Sequence, residues 1–363
     1  MGRKAKNLIE EVADWNNLVA AHKLCRRGKS RNREVLEFES DLWASLGAIQ
    51  NELLWGMYEI GDYRHFLVYD PKRREISAAP YRDRVVMQAI CRVCEPTWTK
   101  ALIPDTFACV RGRGVYQAVH RLQSWMRCYR RRGETAYALH IDVAGFFRSI
   151  PHSVAKRVLR RRIACPLTLK VLDNIIESMH SGEPGTGIAT GNLPSQWVGN
   201  LTLNEVDQAA KRKGGIAHYM RYMDDIMILS ADKGQLHQWQ RAIEMELHKL
   251  GLRAGKINIR EAEGVTYVGV QVWSSGFCVK GQTRRRIRRR MRGLQGSLAK
   301  GHISKARARD TLQSWRAHLI KGECRAFWQR RVAEWEGRAK CKRIQSDVKR
   351  TTASGAPRAR QSS

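Results

Sequence analysis

Apolar residues recur at three- and four-residue spacing through residues 1–60, first Leu8, Val12, Trp15, Leu18 and Val19, then Leu42, Leu46, Ile49 and Leu53. That period predicts helices, parted by a basic loop, Arg26-Arg27-Gly28-Lys29-Ser30-Arg31. The period then changes. His65 to Tyr69 is rich in β-formers, Asp70-Pro71-Lys72-Arg73-Arg74 has turn chemistry, and Glu75 to Ala78 reads as the returning strand of a hairpin with a cationic tip. Helical spacing resumes from Tyr81 to Cys94 and from Gln117 to Arg131.

A short buried strand is expected over Ala136–Ile141, ending on Asp142, followed by helices over 153–162 and 167–180. A glycine-rich loop from Gly182 to Gly191 should open into a helix from Ser195 to Lys211. Two apolar strands, Ala217–Tyr222 and Ile226–Ser230, flank Met223-Asp224-Asp225, and a helix over 233–250, a strand over 256–260 and a hairpin across 265–279 complete the region. Strands interleaved with helices in this way predict an α+β domain.

Beyond Arg284 the apolar positions Leu312, Trp315, Leu319, Phe327, Trp328, Val332 and Trp335 keep a helical period, so a folded helical segment is expected, with the three tryptophans in its core. Its charge sets it apart. From Arg284 to Arg350 there are 22 Lys/Arg against 5 Asp/Glu, a surplus of 17 in a chain whose net charge is +32. So large an excess implies a polyanionic partner, and nucleic acid is the first candidate. Arginines from Arg284 to Arg292 would surround most of a helix and repel one another without an anion. From about residue 346 onward the chain is poor in apolar residues and is expected to be disordered.

The chain offers no run of about 18 apolar residues for a membrane span, and its N-terminal segment is too charged for a secretory signal. A cytoplasmic protein with no membrane partner is the expectation. Nine scattered cysteines make no disulfide framework, and Cys91 and Cys94 lack the second pair or histidine of a zinc site, so reduced core thiols are expected.

The candidate chemistry lies in three carboxylates. Asp224 and Asp225 fall at the tip of a hairpin with apolar flanks, where two like charges oppose folding unless a cation neutralises them. Asp142, 82 residues before Asp224, closes a strand that is apolar apart from His140. Side-by-side strands would gather all three into an oxygen-only site suited to Mg²⁺ or Mn²⁺. A pair of such ions about 3.5–4 Å apart supports in-line phosphoryl transfer. Taken alone, the dipeptide reads more readily as a surface turn and Asp142 as a helix cap.

Longer matches decide between these readings. Tyr222-Met223-Asp224-Asp225, the run Ile141-Asp142-Val143-Ala144-Gly145-Phe146-Phe147-Arg148-Ser149-Ile150-Pro151-His152, and Asp83-Arg84 with Gln88 together resemble the motifs of reverse transcriptases over roughly residues 60–335. The resemblance implies a right-hand polymerase fold. Its parts are an N-terminal helical extension (1–60), fingers (61–135), a palm of antiparallel sheet and helices with interleaved fingers helices (136–280), a basic helical thumb (281–345) and a disordered tail (346–363). It implies catalysis by Asp142, Asp224 and Asp225 with two Mg²⁺ ions, Mn²⁺ being an alternative, and the main-chain carbonyl of Val143 as a further metal ligand.

Phe147, five residues after Asp142, would then lie under the sugar of the incoming nucleotide and exclude a 2′-hydroxyl, while Phe146 suits the core. Lys72 and Arg74 resemble the residues that grip the triphosphate of a dNTP. Lys256 and the stretch Val265 to Val270 resemble the last palm motifs, and Leu312 to Leu319 a thumb motif of the bacterial enzymes. Arg284, Arg285, Arg288, Arg289 and Arg292 would bind nucleic acid.

The segment Gly187-Ile188-Ala189-Thr190-Gly191-Asn192-Leu193-Pro194-Ser195-Gln196 narrows the resemblance. Retron- and intron-type enzymes read Gln-Gly-x-x-x-Ser-Pro here. This chain has Thr190 before the glycine and Gln196 in place of proline, which is similar to the reverse transcriptases of diversity-generating retroelements. Ile188, Gly191, Ser195 and Gln196 would face the templating base and the dNTP, and a flexible amide in place of a rigid proline should test that pair less tightly. The subclass implies error-prone copying of a template-repeat RNA at its adenines, an RNA–cDNA hybrid, and a small basic accessory variability protein, in a bacterial or phage-infected cell. A catalytically silent RNA-binding relative of the fold is the remaining alternative, against which the three intact aspartates argue.

Overall fold

The computed structural model describes residues 4–69, 74–178, 183–321 and 324–338. In chain order the elements are α1 (Leu8–Ala13), α2 (Trp15–Arg26), α3 (Arg33–Ser40), α4 (Leu42–Leu54), β1 (Arg64–Val68), β2 (Arg74–Ala78), α5 (Tyr81–Thr99), α6 (Val115–Arg131) and β3 (Tyr137–Val143). There follow α7 (Phe146–Ser149), α8 (His152–Arg160), α9 (Pro166–Glu177), α10 (Leu193–Gln208), a π-turn (Ala209–Lys213), β4 (Tyr219–Tyr222), β5 (Asp225–Ser230), α11 (Lys233–Lys249) and β6 (Ala254–Glu261). The last are β7 (Val265–Tyr267), β8 (Val270–Val272), β9 (Phe277–Val279), α12 (Gly281–Ala299), α13 (Lys305–Lys321) and α14 (Arg325–Arg338). The chain divides into two compact units, residues 1–118 with 134–261, and residues 119–133 with 262–363.

The first unit is α+β. Its four-stranded antiparallel sheet runs β4-β5-β3-β6, with β3 paired to β5 on one side and β6 on the other. In β3 the side chains alternate as the pleat requires: Leu139, Ile141 and Val143 are buried while His140 and Asp142 are half-buried. Helix α11 packs on β3, β5 and β6. Its start is capped by Asp232, which accepts from the Gly234 amide at 2.7 Å. The N-terminal helices are held by the same core, in which Val12, Leu18, Leu46, Ile49 and Leu53 are buried together with Val85, Ile90 and Trp98 of α5. Helix α5 runs to Thr99, past the Cys94 limit expected from periodicity, with Pro96 accommodated in its last turns and Trp98 fully buried beyond it.

In the second unit the expected hairpin across 265–279 is a three-stranded antiparallel meander, β7-β8-β9, because a further turn at Trp273–Gly276 returns the chain once more. This sheet lies in the second unit together with the basic helices. The part of α6 in this unit is pinned to the meander: Gln123 donates to the Trp273 carbonyl at 3.3 Å and Arg127 to the Ser274 carbonyl at 2.9 Å. Helices α12, α13 and α14 share a core of Ile287, Met291, Leu312, Leu319, Trp328 and Trp335, with Trp315 packed only partly against it. Among the described residues no helix is long and apolar enough to cross a membrane. The expected tail lies outside the described residues.

Candidate active site

The antiparallel register of β3 and β5 sets Asp142 directly opposite Asp225, and that of β4 and β5 sets Tyr222 opposite Asp225. Met223 and Asp224 are therefore a two-residue hairpin loop. Met223 has a φ of 56°, a left-handed conformation that a side-chain-bearing residue adopts only when its surroundings impose it. The three carboxylates that the sequence spreads over 84 positions thus meet at one corner of the sheet. Among the described residues no three or more His, Cys, Asp or Glu side chains are drawn closely enough to close a metal cage by themselves.

Electrostatics at this corner disfavour three anions. The Asp224 carboxyl is pushed up from 3.8 to about 6, chiefly by burial and then by the charges of Asp225 and Asp142, while its own backbone hydrogen bond and Arg221 pull the other way. An oxygen-only donor set whose ionised form is disfavoured until a cation arrives fits a hard divalent ion. Asp142, Asp224 and Asp225 would hold it, with Val143 at the end of β3 as the expected main-chain donor. The backbone beside Val143 is tightly packed. A Cβ on Gly255 of β6 would lie 3.2 Å from both the Asp142 carbonyl oxygen and the Ala144 nitrogen, so only glycine lets β6 approach there. Lys256, next to it, is exposed.

Four residues to which the sequence assigned no role complete the corner. His140 shares the face of Asp142, and its Nε2 donates to Asp225 Oδ1 at 3.0 Å. Its signal was the two-residue offset from Asp142 in an otherwise apolar strand. Arg221 and Asp207 are both fully buried and form a paired contact, Nε to Oδ1 at 2.8 Å and NH2 to Oδ2 at 2.6 Å. Asn200 of α10 accepts from the same guanidinium.

Phe146 is buried and Phe147 half-buried, packed against the same core. Both lie against α10 at Gly199, where a Cβ would come within 3.0 Å of Phe146 Cε1 and 3.5 Å of Phe147 Cε1. The loop before α10 is strapped to the same segment. The Ile188 amide donates to the Phe147 carbonyl at 2.8 Å, the Gly187 amide to the Ile150 carbonyl at 2.9 Å, and His152 Nε2 to the Gly187 carbonyl at 2.8 Å. Gly191 has a φ of 110°, open only to glycine without strain. Ser195 is buried and Gln196 half-buried in the first turn of α10, which starts at Leu193 instead of Ser195. Ile188 is buried.

Arg74 opens β2 opposite Val68, and Lys72 lies outside the described residues. Asp83 of the Asp-Arg pair is a structural anchor: it accepts from Tyr58 Oη at 2.8 Å and the Gly61 amide at 3.0 Å, and burial raises its carboxyl above the usual range. In the second unit Arg285, Arg288, Arg289 and Arg292 of α12 are exposed. Arg284 is half-buried, with its guanidinium 6.0 Å from the centre of the Phe327 ring of α14.

Comparison with known proteins assigns the family. The profile of a family described as "Reverse transcriptase (RNA-dependent DNA polymerase)" matches residues 70–272, more than half of the chain. No curated protein matches it in sequence. Among solved structures, telomerase from Candida albicans, in complex with a TWJ fragment of telomeric RNA, is similar over 62% of this chain at 10% identity and a TM-score of 0.48. The match spans 46%, about half, of that telomerase chain.

Proposed function

We propose that this chain, which belongs to the reverse transcriptase (RNA-dependent DNA polymerase) family, copies a template-repeat RNA into cDNA for a diversity-generating retroelement. Helices around an antiparallel sheet fit the polymerase fold of that family. The fingers would carry the β1–β2 hairpin, the palm the β3–β6 sheet and the thumb the helices α12–α14.

The observation that carries the enzymatic reading is the register that sets Asp142 opposite Asp225, with Asp224 beside them at about pKa 6. Divalent ions, taken as two Mg²⁺ with Mn²⁺ as an alternative, would activate the primer 3′-hydroxyl and stabilise the leaving pyrophosphate. The chain itself would position the reactants. Phe147 would pack under the sugar and exclude a ribose 2′-hydroxyl, Lys72 and Arg74 would hold the triphosphate, and Ile188, Gly191, Ser195 and Gln196 would line the nascent pair. The exposed arginines of α12 would grip the RNA–cDNA hybrid.

The retroelement assignment rests on the Gly191-to-Gln196 sequence and on the place of Gln196 in the first turn of α10. Proline at 196 would fix its own φ and disfavour α-helical geometry at Ser195, whereas glutamine would leave the turn freer to adjust to a mismatched pair. Inaccuracy at template adenines and work beside a small basic accessory protein, in the cytoplasm of a bacterial or phage-infected cell, complete the proposal.

Primer extension on an RNA template with Mg²⁺ and dNTPs, followed by sequencing of the cDNA, tests it. Incorporation that disappears with Asp224→Asn, errors concentrated at template adenines, and fewer errors with Gln196→Pro are expected. A chain that copies adenines as accurately as other bases is not a retroelement mutator.

A further inference from the structure

The catalytic hairpin contains a strained residue, and the structure shows what holds it. Met223 sits at φ 56°, and its carbonyl accepts from Arg221 NH1 at 2.9 Å. The other four bonds of the same guanidinium all go to α10. Nε and NH2 bind Asp207 Oδ1 and Oδ2 at 2.8 and 2.6 Å, NH1 binds Asn200 Oδ1 at 3.0 Å, and NH2 binds the Asn200 main-chain carbonyl at 3.1 Å. These five bonds match the five N–H donors of an arginine, whose planar fork lysine cannot reproduce.

The acceptors are themselves fixed. Asp207 also accepts from Tyr219 Oη at 2.6 Å and Thr106 Oγ1 at 3.1 Å, and Asn200 Nδ2 donates to the Ala108 carbonyl at 2.8 Å. The main chain of Arg221 is held by the same segment, its amide donating to the Asp105 carbonyl and its carbonyl accepting from the Phe107 amide, both at 3.0 Å. Arg221, Asn200 and Asp207 are all at least 98% buried, so no water competes for these bonds. Helix α10 is also the element that begins beside Gln196 and backs Phe146 and Phe147 at Gly199.

We propose that Arg221 is a positioning residue for the metal site, tying the strained Met223–Asp224 turn to α10 so that Asp224 and Asp225 keep the geometry a divalent cation requires. It touches neither substrate nor cation. The surrounding core could fold around a less exacting partner, whereas a left-handed methionine one residue before a metal-binding carboxylate needs a donor on its carbonyl. Arg221 supplies that donor while its other four bonds go to α10, so the seating of α10 and the spacing of the carboxylates are set together.

The inference takes the carboxylates as metal ligands from the polymerase reading, and the test reads both separately. Full-length wild type, Arg221→Lys and Asn200→Ala would be compared for Mn²⁺ binding by electron paramagnetic resonance, with Asp224→Asn defining the site. Steady-state dNTP incorporation would be measured in parallel. Removing an outer partner of a metal ligand typically costs about 10- to 100-fold in affinity or turnover, and Arg221→Lys should show that loss in Mn²⁺ affinity and in kcat, with the dNTP KM within about twofold. Asn200→Ala keeps the Arg221–Asp207 pair and should show a smaller loss of about fivefold, which keeps the test decisive if the lysine variant does not fold. Mn²⁺ affinity equal to wild type in a folded variant overturns the proposal, as does a defect confined to KM. A wild-type chain that binds Mn²⁺ but incorporates nothing removes the polymerase reading and leaves the metal-binding arm to judge Arg221.

Discussion

His140 Nε2 stands 3.0 Å from Asp225 Oδ1, and both side chains are about one-third exposed on the open face of the sheet. The imidazole N–H would orient the Asp225 carboxylate toward a cation held there. His140→Leu should lower kcat for dNTP incorporation about tenfold, and His140→Gln, which can still donate, should lower it less. Single-nucleotide incorporation kinetics check this, and a leucine variant with wild-type turnover would show the contact to be incidental.

Asp224 gives the stability a defined pH dependence. Its folded value of about 6 lies above the ordinary 3.8, so the folded state binds the proton more tightly. The group is neutral in both states below about pH 4, and from there to about pH 6 the unfolded chain ionises first, so stability falls as pH rises. The full penalty above that window is up to about 3 kcal/mol, less whatever solvent screens. Urea unfolding in EDTA should show this loss in the wild type and not in Asp224→Asn, and added Mg²⁺ should restore stability only where Asp224 is present.

Gly199 and Phe147 bear on sugar selection. Phe147→Ala should admit ribonucleotides, lowering the dNTP over NTP preference about tenfold or more. Gly199→Ala introduces a Cβ 3.0 Å from Phe146 Cε1 and should displace that ring, destabilising the fold by about 1–3 kcal/mol and, through the Phe146–Phe147 contact, eroding the same preference. Competition between dNTP and NTP during primer extension measures both. An unaltered ratio in Phe147→Ala would reject the gate.

The buried Arg221–Asp207 pair should be costly to break from either side. Asp207→Leu leaves a guanidinium with no counter-charge in a site that is fully buried, and should destabilise the first unit by about 3–5 kcal/mol. Denaturant melts that follow hydrogen exchange of β4 and β5 report it, and a loss below about 1 kcal/mol would mean that the pair is dispensable.

The arginines of α12 fall into two kinds. Each exposed residue among Arg285, Arg288, Arg289 and Arg292 that contacts a phosphate should, when changed to Gln, reduce the slope of log affinity against log salt by about 1 for an RNA–DNA hybrid. Arg284, packed on Phe327, should leave that slope unchanged and instead loosen the second unit. Fluorescence anisotropy across a salt series separates the two kinds.

Local chemistry made much of this protein legible in its sequence. A buried strand ending on Asp142 was readable from its apolar run, apolar flanks marked Tyr222–Asp225 as a hairpin, and Phe146 was readable as a core ring, because each depends on neighbours within a few residues. Other features depend on partners far along the chain. Nothing near Arg221 in sequence announces that its guanidinium will meet Asn200 and Asp207, and Gly199 gives no local sign that two rings will pack on it. Arg284 sits in a run of identical arginines, and only the docking of α14 turns it inward. The residues 265–279 have strand-forming character for one hairpin or for three short strands, and the turn at Trp273–Gly276, held against α6, decides for three. Sequence by itself determined which groups are offered for the chemistry, since carboxylates, rings and glycines have their properties wherever they sit. Tertiary structure alone decided which buried donors hold those groups in place, since a hydrogen-bond partner is defined by where two distant segments meet.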